Sequence, residues 1–290
     1  MTPAGGPSGA PPAEGPSGAP PAGGPILLKG LRARLVLVRH GQSTFVAEGR
    51  FQGRLDPPLS QLGEQQATLA GSWLGHPDGP PGLGLQLPVQ RIVHSPLSRA
   101  ARTAELIAAA MAHQLGTGQP RLRADDALVE IGQGDWEGRT MAEVSERWGD
   151  LLAEWRRSPT TAWAPGGEPL ADADLRVRTA LGGILAELAP SEAAGPSAAR
   201  AAPWVIVVAH DGILRLLLLA LLDLPLERFW SFPFTLGGAT VVELRGGRAH
   251  LAAHNVTGRQ AAAERTRDDG PGADGPAAAE EVEPAREGAF

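Results

Sequence analysis

The sequence predicts an α/β protein, a three-layer α/β/α sandwich whose central sheet is mostly parallel and carries helices on both faces. Two apolar runs, Leu35-Val36-Leu37-Val38 and Trp204-Val205-Ile206-Val207-Val208, are short and rich in β-branched residues. Strands of that kind are buried on both faces, as in parallel sheets. Segments with helical spacing lie between and after them, the alternation expected of an α/β architecture. Both runs also end alike, in Arg39-His40-Gly41 and in Ala209-His210-Asp211-Gly212. Open α/β sheets bind ligands at the C-terminal ends of their strands. Two strands of one parallel sheet would therefore bring His40 and His210 out at one edge, beside Arg39. Gly41 is read as the residue that lets the chain turn sharply there.

The ends of the chain differ from its body. Gly6–Ala13 recurs as Gly15–Ala22, a Pro/Gly/Ala repeat unable to bury a core, so residues 1–31 are expected to form a disordered, partly polyproline-II arm. The net charge is −6, and from Glu264 onward eight acidic residues face three arginines. Residues 259–290 are thus expected to be a disordered acidic tail, leaving a folded body at 32–258. That body is nearly neutral, which argues against a nucleic-acid partner. Cysteine is absent and Lys29 is the single lysine. Disulfides and thiol chemistry are excluded, and the expected location is the cytoplasm. The longest apolar run, Ile213–Leu222, is interrupted by Arg215 and falls short of the ~20 residues of a membrane helix. No signal peptide is expected.

Within the body, Gly49–Ser60 reads as an ordered Gly/Pro loop beside the candidate edge. Ser60 caps a helix expected to carry Leu62, Leu69, Ala70 and Trp73 inward, followed by a Gly/Pro-rich connection at 75–88. Arg91–Ser95 is a further strand. It leads to a helix with apolar positions Leu97, Ala101, Ala104, Ala108, Met111 and Leu115. Arg99 in its first turn opposes the helix dipole, which an anion bound nearby would explain. Glu130 stands between Val129 and Ile131 in an irregular stretch, a setting that raises a carboxyl pKa toward the range of a general acid. Thr140 and Glu143 form a capping box for a helix burying Val144, Trp148, Leu151, Leu152 and Trp155. A helix after Pro169 presents Val177, Leu181, Ile184 and Leu188. A linker at 190–203 precedes the 204–210 strand, which feeds an apolar helix reaching Leu222. Thr240–Leu244 and Arg248–Ala252 form a hairpin about Gly246-Gly247.

The chemistry-bearing residues are two histidines, one carboxylate and two arginines. No Gly-x-Ser-x-Gly elbow is present, and no phosphate loop, since the one lysine lies in the arm. Paired histidines at metal-ligand spacing with a third ligand are also missing.

Taken in order, Arg39–Ser43, Gln52-Gly53 with Asp56–Leu59, Ser95–Ala100 with Thr103-Ala104, Glu130 with Trp136-Glu137-Gly138, and Val208–Gly212 resemble the histidine phosphatase superfamily, the group with phosphoglycerate-mutase-like folds. The resemblance spans roughly residues 33–256. It implies that 32–258 is a catalytic domain acting on a small phosphate ester, with no metal or organic cofactor. His40 would be the nucleophile, its other ring nitrogen held by a backbone carbonyl. Arg39 and Arg99 would grip the phosphoryl oxygens, with His210 as a further catalytic donor and Gln42, Gln52 and Gly53 lining the substrate site. Glu130 would protonate the leaving oxygen, with Glu137 or Asp135 next in line. Val46 stands where the family often has asparagine, and Asp211 where a second glycine is commonest. Asp211 is expected to raise the pKa of His210. His94 is read as structural.

Two alternatives accompany the phosphatase reading. A phosphoglycerate mutase would use the same core, and Trp155-Arg156-Arg157-Ser158 resembles a mutase substrate segment. Met141, however, stands near the position of a mutase lysine, and tyrosine is absent. A non-catalytic phospho-ligand binding protein would keep the fold without the complete polar set.

Overall fold

A computed structural model describes residues 26, 28–76, 79, 89, 91–188 and 203–258. The expected tail, almost all of the arm and most of the two connections lie outside these residues.

Six strands form one sheet: β1 (Ala33–Arg39), β2 (Arg91–His94), β3 (Arg121–Ala124), β4 (Trp204–Ala209), β5 (Ala239–Arg245) and β6 (Arg248–Val256), in the order β3-β2-β4-β1-β5-β6. The first four strands run parallel. β5 is antiparallel to β1, and β6 to β5. The parallel register sets Arg39 opposite Ala209, so β1 and β4 end together. That is what brings His40 and His210 to one edge.

Alternation along the strands sorts their residues into two cores. Leu35, Leu37, Val205 and Val207 face α5 (Leu170–Leu188) and α6 (Asp211–Leu221). Val36, Val38, Ile206 and Val208 face α2 (Gln61–Leu74) and α3 (Ser98–Leu115). Helices thus cover both faces, and the three-layer arrangement holds. A third, smaller cluster of Phe51, Trp136, Val144, Leu152 and Ala164 joins the loop after β1, which holds the one-turn helix α1 (Thr44–Ala47), to α4 (Met141–Arg157).

The caps lie where the sequence put them. Ser60 Oγ accepts from Gly63 N at 3.2 Å, and Thr140 and Glu143 complete a capping box. α5 buries Val177, Leu181, Ile184 and Leu188 as expected. Other expectations fail for identifiable reasons. Leu62 and Leu69 are exposed, and α2 instead buries Gly63, Ala67, Ala70, Gly71, Trp73 and Leu74. Its small residues face α3 because the two backbones approach closely; a Cβ on Gly71 would lie 2.7 Å from Ile107 O. On α3 the buried stripe is Ala100, Ala104, Ile107, Ala108 and Met111, and Leu97 is the N-cap. In α4 only Val144 and Leu152 are buried; the helix breaks at Trp148 (φ −136°, ψ 32°), which turns the flanking positions. β3 carries too little apolar sequence to be seen in advance; its burial pattern is largely exposed, at the sheet edge.

Leu28 and Leu31 are buried in the α5/α6 core, ahead of the boundary placed at residue 32. The Pro/Gly repeat stops before Ile26, and an apolar residue resumes there. A chain lacking residues 1–25 is therefore expected to melt where the full chain does. One lacking residues 1–31 should melt several degrees lower, because two core leucines leave cavities. Equal melting temperatures for the two truncations in a calorimetric scan would contradict this.

Candidate active site

His40 follows β1 and is almost fully buried, its N–H donating to Ala209 O at 3.0 Å. The next peptide turns its carbonyl back on the ring: His40 Nδ1 lies 2.6 Å from Gly41 O. A carbonyl only accepts, so Nδ1 carries the proton and Nε2 keeps its lone pair. Gly41 is not in the left-handed region. It is required instead by contact, because a Cβ there would collide with the Gly63 carbonyl at the start of α2. Gly41 N donates to Thr103 Oγ1 at 3.1 Å, and that hydroxyl donates to Arg99 O at 2.7 Å. Thr103 thus locks the turn after β1 to α3.

His210 caps α6 and is fully buried, its ring 5.1 Å from that of His40, edge-on. Its Nε2 lies 2.8 Å from Ser95 Oγ, which already accepts from Leu97 N at 3.3 Å. His210 Nε2 is the one acceptor within reach of the Ser95 hydroxyl among the described residues; with the Ser95 proton donated there, the imidazole proton sits on Nδ1, which is then a donor.

The arginines are built in by backbone carbonyls. Arg99, wholly buried, donates from Nη1 to Leu55 O at 2.7 Å and from Nη2 to Gly53 O at 2.9 Å. Arg39 donates from Nη1 to Phe234 O at 2.6 Å. Three donors in this cluster have no protein partner: Arg39 Nε, Arg99 Nε and His210 Nδ1, all buried. Leaving a buried donor unpaired costs ~1–3 kcal/mol, more when charged. A ligand rich in acceptor oxygens relieves all three together.

Burial and the two guanidiniums act jointly on the titrating groups. Desolvation, then Arg99 and Arg39, hold the His40 imidazole well below the ordinary 6.5. His210 is lowered well below that value by desolvation, then Arg99 and His40. Desolvation also brings the Arg99 guanidinium down to about 10. Glu130, 4 % exposed, has its pKa raised by desolvation and by Asp211, against the hydrogen bond from Ile131 N at 2.9 Å. Its Oε1 lies near Gly212, where a Cβ would come within 2.8 Å of it, so the carboxyl faces the α6 N-terminus beside His210.

The expectation for Asp211 is overturned. Its carboxylate is bound at both oxygens by Arg215, at 2.8 and 3.2 Å, and stands 3.5 Å from Arg39 Nη1. It is satisfied by arginines and does not raise His210. Gln42 and Gln52 hold the loop around the site: Gln42 Oε1 accepts from Ser60 Oγ at 2.8 Å, and Gln52 Oε1 from Ser43 Oγ at 2.5 Å. Gly53, at φ +48°, lies where a Cβ would collide with Glu137 Oε1. Glu137 itself accepts from Gln133 N and Arg54 N, both at 2.9 Å, and Asp135 is exposed. Val46 N–H is taken by Ser43 Oγ at 3.1 Å, and His94 Nδ1 lies 2.9 Å from Ser95 O. Ser95 as the partner of His210, and Glu168 and Arg176 behind Glu130, could not be inferred from sequence. Their contacts arise across segments far apart in the chain. Among the described residues no group of three or more His, Cys, Asp or Glu could hold a metal ion, and no helix is long and apolar enough to cross a membrane.

Residues 35–257 match the histidine phosphatase superfamily, branch 1. The chain belongs to this family and is a histidine phosphatase. It is 36% identical over 216 residues to a glucosyl-3-phosphoglycerate phosphatase of Mycobacterium tuberculosis, covering 73% of this chain and 85% of that protein. It is 31% identical over 227 residues to phosphoserine phosphatase 1 of Hydrogenobacter thermophilus, covering 77% and 92%. A mycobacterial glucosyl-3-phosphoglycerate phosphatase solved with VO3 superposes with a TM-score of 0.59 at 33% identity, covering 77% of this chain and 99% of the other.

The lowered histidines make a direct prediction. In the ligand-free enzyme both rings stay neutral at pH values where an ordinary histidine, near 6.5, is largely protonated. Ring ¹⁵N shifts should show His40 as the Nδ1–H tautomer throughout. A His40 that titrates at or above its ordinary value would contradict the burial argument.

Proposed function

We propose that the enzyme hydrolyses phosphate esters of small metabolites through a phosphohistidine on His40. The observation that carries this is the trio of buried, unpartnered donors, Arg39 Nε, Arg99 Nε and His210 Nδ1, around a histidine whose Nε2 lone pair is free. In the first step Nε2 attacks phosphorus and the ester P–O bond breaks. The departing oxygen takes the proton of Glu130. In the second, a water gives its proton to Glu130 as its oxygen attacks phosphorus. The P–N bond breaks, phosphate leaves and His40 regains its lone pair. Donors in a dry site neutralise the oxygens without reorganising, which is where most phosphoryl-transfer catalysis arises.

The named relatives, phosphatases for phosphoserine and glucosyl-3-phosphoglycerate, support a small alkyl phosphate ester as substrate. Release of phosphate, rather than its return to a product as in a mutase, is the reading we adopt. Arg156 and Arg157, the mutase-like pair, are exposed on α4 and engage Met141 Sδ and Glu154. We place the catalytic domain at residues 26–258. The near-neutral body and the absence of cysteine support a cytoplasmic enzyme of small molecules rather than of nucleic acid.

Leaving groups test the roles. Glu130→Gln cannot donate a proton, so its single-turnover rate on an alkyl phosphate should fall by ~10²–10⁴ and far less on p-nitrophenyl phosphate, whose phenolate leaves unaided. Because the Glu130 pKa is raised, the alkaline limb of the alkyl profile should lie above the ordinary carboxyl value of 4.5 and vanish in Glu130→Gln. Arg99→Ala should slow both esters alike. Equal loss on both esters in Glu130→Gln would remove it as the acid.

A further inference from the structure

Arg176 on α5 uses all five of its N–H donors. Nε and Nη2 bind the Glu168 carboxylate at 2.9 and 2.8 Å. Nη1 donates to Ala127 O and Val129 O, both at 2.7 Å, and Nη2 also reaches Glu130 O at 3.3 Å. One guanidinium therefore holds three carbonyls of the irregular turn that ends at Glu130. Backbone groups in such a turn need partners that regular structure does not provide. The planar fork of arginine supplies them in a fixed geometry that lysine cannot reproduce. Glu168 closes the other side, its N–H donating to Gly132 O at 2.8 Å. Arg54 extends the link, with Nη2 3.0 Å from Glu168 and Nε 3.3 Å from Glu130 O. The turn that bears the acid is thus fastened to one partly buried ion pair, Arg176 with Glu168, whose side chains are 18% and 13% exposed.

We propose that Arg176 is a positioning residue for the reaction, holding the 127–130 turn so that the Glu130 carboxyl meets the departing oxygen. The proposal rests on Glu130 being the leaving-group acid. Arg176 touches no reacting atom; it acts through the backbone of Glu130.

The test is a double-mutant cycle on two esters, with single-turnover rates for the wild type, Arg176→Lys, Glu130→Gln and the double variant. Misplacing a reacting group by an ångström costs about 10²-fold. Arg176→Lys should lose that much on an alkyl phosphate and stay within about twofold on p-nitrophenyl phosphate. In the Glu130→Gln background the same change should add no more than about twofold on the alkyl ester. Equal loss on both esters, or full loss persisting without the Glu130 acid, would overturn the proposal. Glu130→Gln alone reports separately on the parent reading. If Arg176→Lys fails to fold, Glu168→Gln leaves the arginine in place and loosens one side of it. A smaller loss confined to the alkyl ester is then expected, and an ester-independent loss overturns the proposal.

Discussion

Everything at the sheet edge depends on two guanidiniums taken out of water with more donors than the protein accepts from. Arg99 is wholly buried, held by two loop carbonyls, and its Nε is left over. Arg39 is held by Phe234 O and Asp211, with Nε likewise left over. Such groups are tolerated only where folding energy elsewhere holds them in place and a ligand completes them. Their charges also explain the histidines. Beside two cations and away from water, His40 and His210 disfavour protonation, the condition a nitrogen nucleophile requires.

The same dryness acts oppositely on the carboxyl groups. Glu130 sits at the α6 N-terminus with one hydrogen bond to its own chain neighbour, and burial pushes it toward the neutral acid. Asp211, a few residues away in space, is gripped by Arg215 and stands against Arg39. Two buried acids at one edge thus have different partners. The one bound by an arginine fork at both oxygens stands against Arg39, and the one without such a partner is the group we propose as the acid.

The fold was legible because β1 and β4 are short, continuous apolar runs rich in β-branched residues. Such runs dictate burial on both faces, and their shared termination places the two histidines. The caps at Ser60 and Thr140 depend on local chemistry and were equally readable. What escaped depends on distance in the chain. Leu62 and Leu69 look like core residues until α3 approaches α2 through Gly71. β3 has its place only because β2 offers an edge. Adjacency suggested that Asp211 would charge His210, yet the helical i,i+4 spacing gives its carboxylate to Arg215. Arg39, His40 and His210 stood out at strand ends, Arg99 in the first turn of its helix, and Glu130 between two apolar residues of an irregular stretch. Ser95, Glu168 and Arg176, which hold them in place, have meaning only in three dimensions.

The central claim is that His40, fixed by Gly41 O through Nδ1, accepts the phosphoryl group on Nε2. Rapid quenching during turnover, followed by ³¹P NMR and peptide mapping of the alkali-stabilised phosphoenzyme, measures this directly. Phosphorus is expected on His40 alone, as the Nε2 isomer. Phosphorus on His40 Nδ1, or on His210 or any other residue, would contradict it.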